Sequence, residues 1–118
     1  GWDWFSLQFA DGTRLMGFGL RDRAGETFTS ATWIEPDGTT TAYGDGALRL
    51  TPLAEADVAG RSIPTEWRVE LPERGVDITT RPLNPQSWMD TSFAYWEGPI
   101  RFDGSHEGRG YLEMTGYE

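Results

Sequence analysis

Residues 95–104 read YWEGPIRFDG and residues 108–117 read GRGYLEMTGY, and the make-up of these two stretches decides the fold. Both are rich in aromatic and β-branched residues, lack a helical period and carry glycine at their margins, which is the composition of strands. Asp103-Gly104 and Glu107-Gly108 lie between them. Glycine reaches the positive φ that a tight reversal needs, so the two stretches form a hairpin. In its first arm Phe93, Tyr95 and Glu97 share one face, while Ala94, Trp96, Ile100 and Phe102 fall mostly on the other. Glu97 thus stands among aromatic rings.

The same alternation extends back to the start. Residues 2–9 (WDWFSLQF) put Phe5, Leu7 and Phe9 on one face and Trp2, Trp4, Ser6 and Gln8 on the other. Asp11-Gly12 turns the chain into a second strand, 14–20, where Gly17 and Gly19 share a face and indicate a bend or a close approach by a ligand or backbone. Further strands are expected over 28–35, 39–43, 47–53, 66–71 and 76–81, with Pro36-Asp37-Gly38 the strongest turn between them. Residues 54–64 (AEADVAGRSIP) are the least β-like part and read as a loop crossing one end of the sheet. The sum is an all-β, antiparallel, up-and-down barrel of about eight to nine strands, a shape that leaves no open sheet edges.

One domain fits 118 residues. The net charge of −9 argues against nucleic acid and against anionic lipid, both of which are bound through basic residues. No run is long and apolar enough for a membrane span, so no membrane insertion is expected. With no cysteine and one histidine, His106, the chain lacks the donors of a zinc or iron site, and neither metal nor cofactor is expected. His106 sits in a hairpin tip, a poor place for an oriented catalytic base. Six tryptophans and 14% aromatic residues mark either an aromatic core or a cavity for a large apolar ligand. The carboxylates set in aromatic sequence, Asp3, Asp90 and Glu97, are the candidates for acid chemistry, because apolar surroundings raise a carboxyl pKa. The competing reading sends these acids to solvent while the rings pack.

GWDWFSLQFADGTRLM at the start, LTPL and IPTEWRVELP in the middle, and AYWEG with GRGYLEMTGY at the end form an ordered set of motifs. The set resembles the C-terminal half of the carotenoid hydratase (hydroxyneurosporene synthase)/AttH-like family of lipocalin-like proteins, over nearly the whole chain. The FDGSHEGRG tip and the 84–90 connection depart from that pattern. The resemblance implies two lipocalin-like barrels in a longer protein, with residues 1–118 as one barrel of the C-terminal part, and it tilts the compartment towards secreted or periplasmic. It also implies hydration of isoprenoid double bonds for some members.

The resulting expectation is a hydrophobic or isoprenoid-like small molecule bound in a barrel cavity lined by Trp2, Trp4, Gln8, Trp33, Trp67 and Tyr95. The rival expectation is a hydratase- or hydrolase-type half-site in which Glu97 or Asp3 donates the proton. A third is a structural domain that packs on a partner barrel, either an upstream half or a second subunit.

Overall fold

A computed structural model describes residues 1–117 of the chain. Ten antiparallel strands form one curled sheet: β1 (Trp2–Phe9), β2 (Arg14–Arg21), β3 (Thr27–Ile34), β4 (Thr40–Tyr43), β5 (Arg49–Val58), β6 (Arg61–Leu71), β7 (Val76–Pro82), β8 (Trp88–Met89), β9 (Tyr95–Gly104) and β10 (Gly108–Met114). A single 3₁₀ turn, Pro72–Arg74, links β6 to β7. The order across the sheet is β4-β3-β2-β1-β10-β9-β7-β6-β5, with β8 paired to β9 off this path. The first and last strands are therefore neighbours in the middle of the sheet, and the break in the up-and-down barrel falls between β4 and β5. The tenth strand, beyond the eight to nine expected, is the two-residue β8.

The 95–117 hairpin forms as its sequence dictates, with Phe102 opposite Gly108 and Trp96 opposite Met114. The inner face follows the alternation: Phe5, Leu7 and Phe9 from β1, Trp67, Val69 and Leu71 from β6, and Trp96, Ile100 and Phe102 from β9 are all buried. Residues 54–64 correct the sequence reading. They form a hairpin rather than a crossing loop: β5 runs to Val58, Ala59 and Gly60 turn at positive φ, and β6 returns from Arg61. Small alanines hid the period, and a register irregularity at Pro52 to Glu55 interrupts it further.

The β4/β5 break is spanned by side chains instead of a hydrogen-bond ladder. Leu48 and Leu50 lean from the β5 side onto Gly17 and Gly19 of β2; a Cβ on Gly17 would stand 2.6 Å from Leu48 Cδ2, and one on Gly19 would stand 3.1 Å from Leu50 Cδ1. The close approach that those two glycines announced is thus made by the chain's own leucines. The 44–46 turn adds two bonds, as the Thr29 amide donates to Asp45 Oδ1 (2.9 Å) and the Gly46 amide to Thr29 Oγ1 (3.0 Å). On the other side of the break, Arg74 donates to the Tyr43 hydroxyl (2.6 Å) and to Thr41 Oγ1 (3.2 Å), and lies over the Trp33 ring.

Candidate functional site

Alternation divides the six expected lining residues, Glu97 and Asp3 between the two faces of the sheet. Trp33 and Trp67 point inward, and both are built into the core. Trp67 donates its indole N–H to the Pro64 carbonyl (3.0 Å) and meets Phe5 edge-on at 5.7 Å, across the interior from β6 to β1. Trp33 donates to Glu35 Oε1 (3.1 Å) and packs edge-on against Phe9. A third indole, Trp96, donates to the Pro85 carbonyl (2.8 Å). Where Phe5 meets Trp67, rings from opposite walls are in contact, so the interior there holds the protein's own side chains and not vacant space. The picture of one aromatic-lined cavity formed jointly by all these residues is corrected accordingly.

Trp2, Trp4, Gln8, Tyr95 and Glu97 take the opposite parity and lie on the outside. They are brought together there by register. Trp4 stands between Phe18 of β2 and Glu113 of β10, and Glu113 stands opposite Glu97 of β9. One step towards the strand ends, Trp2 is opposite Leu20, which is opposite Phe28. Trp2, Trp4, Phe18, Leu20 and Glu113 line a concavity of about 380 Å³. Phe93 extends it, lying 6.4 Å from the Trp2 ring and stacking on Tyr95 at 5.7 Å. Leu20 and Phe28 are each 47% exposed and Phe93 51%, a concentration of bare apolar surface on one face.

Glu97 is the polar centre of this face. It accepts hydrogen bonds from the Tyr95 hydroxyl and from the Tyr111 hydroxyl (2.9 Å), with the carboxylate of Glu113 on the neighbouring strand. The Tyr95 phenol is pushed up to about 12, chiefly by its hydrogen bond to Glu97. Tyr111 is also raised, first by burial and then by the same carboxylate. Glu97 here accepts from both phenols.

Asp3 belongs elsewhere, although Trp2 and Trp4 flank it. It points inward, is 3% exposed, pairs with Arg21 and accepts from the Tyr117 hydroxyl (2.9 Å). Arg21 also donates to the Thr115 carbonyl (2.5 Å) and lies over the Tyr117 ring. Burial pushes the Asp3 carboxyl above its ordinary 3.8, against the opposing pull of Arg21 and Tyr117. This cluster ties β1, β2 and the segment after β10 together. Among the described residues no group of three or more His, Cys, Asp or Glu is placed to hold a metal ion, and no helix is long and apolar enough to cross a membrane.

The sequence pattern of AttH-like proteins matches residues 1–117. The chain belongs to the AttH-like family. A crystal structure of a candidate AttH protein from Nitrosomonas europaea superposes on all of this chain with a TM-score of 0.89 at 29% identity. The AttH-like chain spans 39% of that protein's length. Among curated proteins none matches it.

In this AttH-like domain the sequence reading missed Phe18, Leu20, Phe28, Tyr111 and Glu113 as members of the outer face. The signal was present in part. Phe18 and Leu20 share parity with Met16, and pairing β1 with β2 through the Asp11-Gly12 turn puts Phe18 beside Trp4. Joining β10 to β1 was the step that local sequence does not supply.

Proposed function

We propose that this AttH-like domain binds a hydrophobic, isoprenoid-like small molecule, and that it does so against the outer aromatic face rather than within the tube. The observation that carries this reading is the 380 Å³ concavity whose walls are Trp2, Trp4, Phe18 and Leu20. Aromatic walls with a few convergent polar groups are the usual make-up of a small-molecule site, and that volume is within the usual range. Tyr95, Tyr111 and the Glu97–Glu113 pair supply the polar end, suited to a hydroxyl or other donor on the ligand. Each large apolar side chain taken fully from water contributes about 1.5–3 kcal/mol, so covering two or three half-exposed ones contributes about 1.5–4.5 kcal/mol, which by itself reaches no tighter than millimolar affinity.

The test is quenching of tryptophan fluorescence by all-trans-retinol, with Phe18→Glu as the variant. Saturable quenching that weakens at least tenfold in Phe18→Glu, with an unchanged β-sheet spectrum, supports the reading. Absence of saturation, or equal quenching in the variant, removes it.

A second reading draws on a specific observation, the chain's 39% share of its solved relative. The same face then packs against another barrel, whether further chain or a second copy. For the second copy, sedimentation should detect a dimer that Phe18→Glu abolishes, without saturable quenching. A catalytic role for Glu97 has weaker support, since both phenols donate to it and it would have to exchange one of them for substrate. Glu97→Gln should then abolish turnover of a hydratable polyene while retinol affinity stays within twofold. For Asp3, the pairing with Arg21 and Tyr117 supports a structural role over proton donation.

A further inference from the structure

Ten arginines are the chain's whole complement of basic side chains apart from His106, against nineteen acids. Four of the ten fall in one line. Register places Arg14 of β2 opposite Gln8 of β1, Gln8 opposite Arg109 of β10, Arg109 opposite Arg101 of β9, and Arg101 opposite Arg81 of β7. All five side chains are exposed on the outer face. Directly opposed residues on neighbouring strands stand about 5 Å apart, and like charges so placed repel. A chain with a two-to-one excess of acids has every means of avoiding that arrangement.

The row is only partly neutralised. Arg81 reaches Asp103 Oδ1 at 3.2 Å and Glu66 Oε1 at 3.9 Å. Arg14, Arg101 and Arg109 have no ion pair among the described residues, as is also true of Arg23, Arg49 and Arg61, whereas Arg21, Arg68 and Arg74 each have at least one. A groove of about 1000 Å³ opens over the row from Gln8 to Arg81, leaving out Arg14, and is walled by Gln8, Arg81, Arg101 and Arg109, with Leu83 and Pro99 as apolar surface. Asp103 and Glu107 also border it, and Asp103, two residues from Arg101 on the same face of β9, is the carboxylate that engages Arg81.

We propose that this groove binds a diphosphate group, with Arg101 and Arg109 as its principal ligands and Gln8 as a neutral donor beside them. The planar guanidinium fork matches phosphoryl oxygens in bidentate fashion. Two forks side by side suit two linked phosphoryl groups better than one. Bound anion removes the repulsion within the row, so binding and stability are coupled. Leu83, 60% exposed, offers a wall to an organic substituent on the diphosphate. The site is separate from the aromatic concavity, being on the other side of the Ser6–Tyr111–Pro99 row, and stands whether or not retinol binds there.

Calorimetric titration of the 118-residue chain at low salt tests it, using inorganic pyrophosphate, orthophosphate and adenosine diphosphate. Pyrophosphate should saturate and bind at least tenfold more tightly than orthophosphate. Tighter binding of adenosine diphosphate would assign the site to an organic diphosphate, and equal or weaker binding to the free anion. The Arg101→Gln/Arg109→Gln double variant should weaken pyrophosphate at least tenfold, while Arg23→Gln, which alters charge in a distant turn, should change it less than twofold. In the absence of anion the double variant should melt at or above the wild-type temperature, which guards against loss of fold. Lack of saturation at millimolar pyrophosphate, or equal weakening by Arg23→Gln, would overturn the proposal.

Discussion

If Leu48 closes the β4/β5 break by filling the notch at Gly17, the two positions must be energetically coupled. Leu48 is 2% exposed and its Cδ2 occupies the place where a Cβ on Gly17 would stand, at 2.6 Å. Leu48→Ala alone empties that space and should cost about 3 kcal/mol, in the range for buried leucine truncation. Gly17→Ala alone forces an overlap of roughly 1 Å against a carbon contact distance of about 3.5 Å, costing about 1–2 kcal/mol. Gly17 does not have a left-handed φ, so alanine is otherwise acceptable there and should recover about 0.5 kcal/mol of chain entropy. In the double variant the new methyl enters the vacated volume. Its cost should be about 2–3 kcal/mol instead of the additive 4–5, a coupling of about 2 kcal/mol. Urea unfolding of the four proteins measures this. With a slope near 1.5 kcal/mol/M, Leu48→Ala should lower the midpoint by about 2 M and the double variant by no more than that. Strict additivity would refute closure by this contact and leave the sheet open along β4 and β5.

Three further outcomes are expected. Tyr95 should ionise near pH 12 by ultraviolet absorbance, and Glu97→Gln should bring it back towards 10; because the folded value lies above the unfolded one, its contribution to stability is complete below pH 10 and lost as pH rises through about 12. Asp3→Ala leaves Arg21 partly buried without its anion. Since the Arg21 side chain retains 27% exposure, the cost is discounted to about 2–4 kcal/mol, a fall of roughly 8–15 °C in a thermal melt; a shift within error would make the cluster dispensable. Arg68 holds Asp77 below its ordinary 3.8 through a bidentate contact, so the stability it contributes is present above pH 3.8 and lost as pH falls through the folded value. Asp77→Asn should therefore flatten the acid limb of a stability–pH profile, and an unchanged limb would count against this.

The parity of each strand was legible wherever one face was continuously apolar. Phe5, Leu7 and Phe9, or Trp67, Val69 and Leu71, need no partner strand to declare which side is buried. Tryptophan defeats that logic. Trp2 and Trp4 are as apolar as Trp67, yet they share a face with Gln8 and Ser6, opposite Phe5, Leu7 and Phe9, so a lining chosen by residue type drew on both faces of one strand. Tyr95 and Glu97 were grouped correctly with each other, but which way the pair points depends on Trp96, whose indole N–H is satisfied by Pro85 eleven residues earlier. Asp3 was visible as an acid among rings. Its partners Arg21 and Tyr117 lie 18 and 114 positions away, beyond any local pattern. The 54–64 hairpin was obscured because alanine carries little strand preference, and its geometry comes from the Ala59-Gly60 turn and the pairing of Val58 with Arg61.

The adjacency of β1 and β10 sets an order on assembly. Every other neighbouring pair along the main path can zip as its second strand emerges, but Phe5 must wait for Leu112. Closing so long a loop is slow, so the two leaflets β1–β4 and β5–β10 should collect first as separate, sticky intermediates. Trimming the chain before Gly108 would not fray an edge; it would remove the hinge pin between the leaflets and leave both without a shared interior.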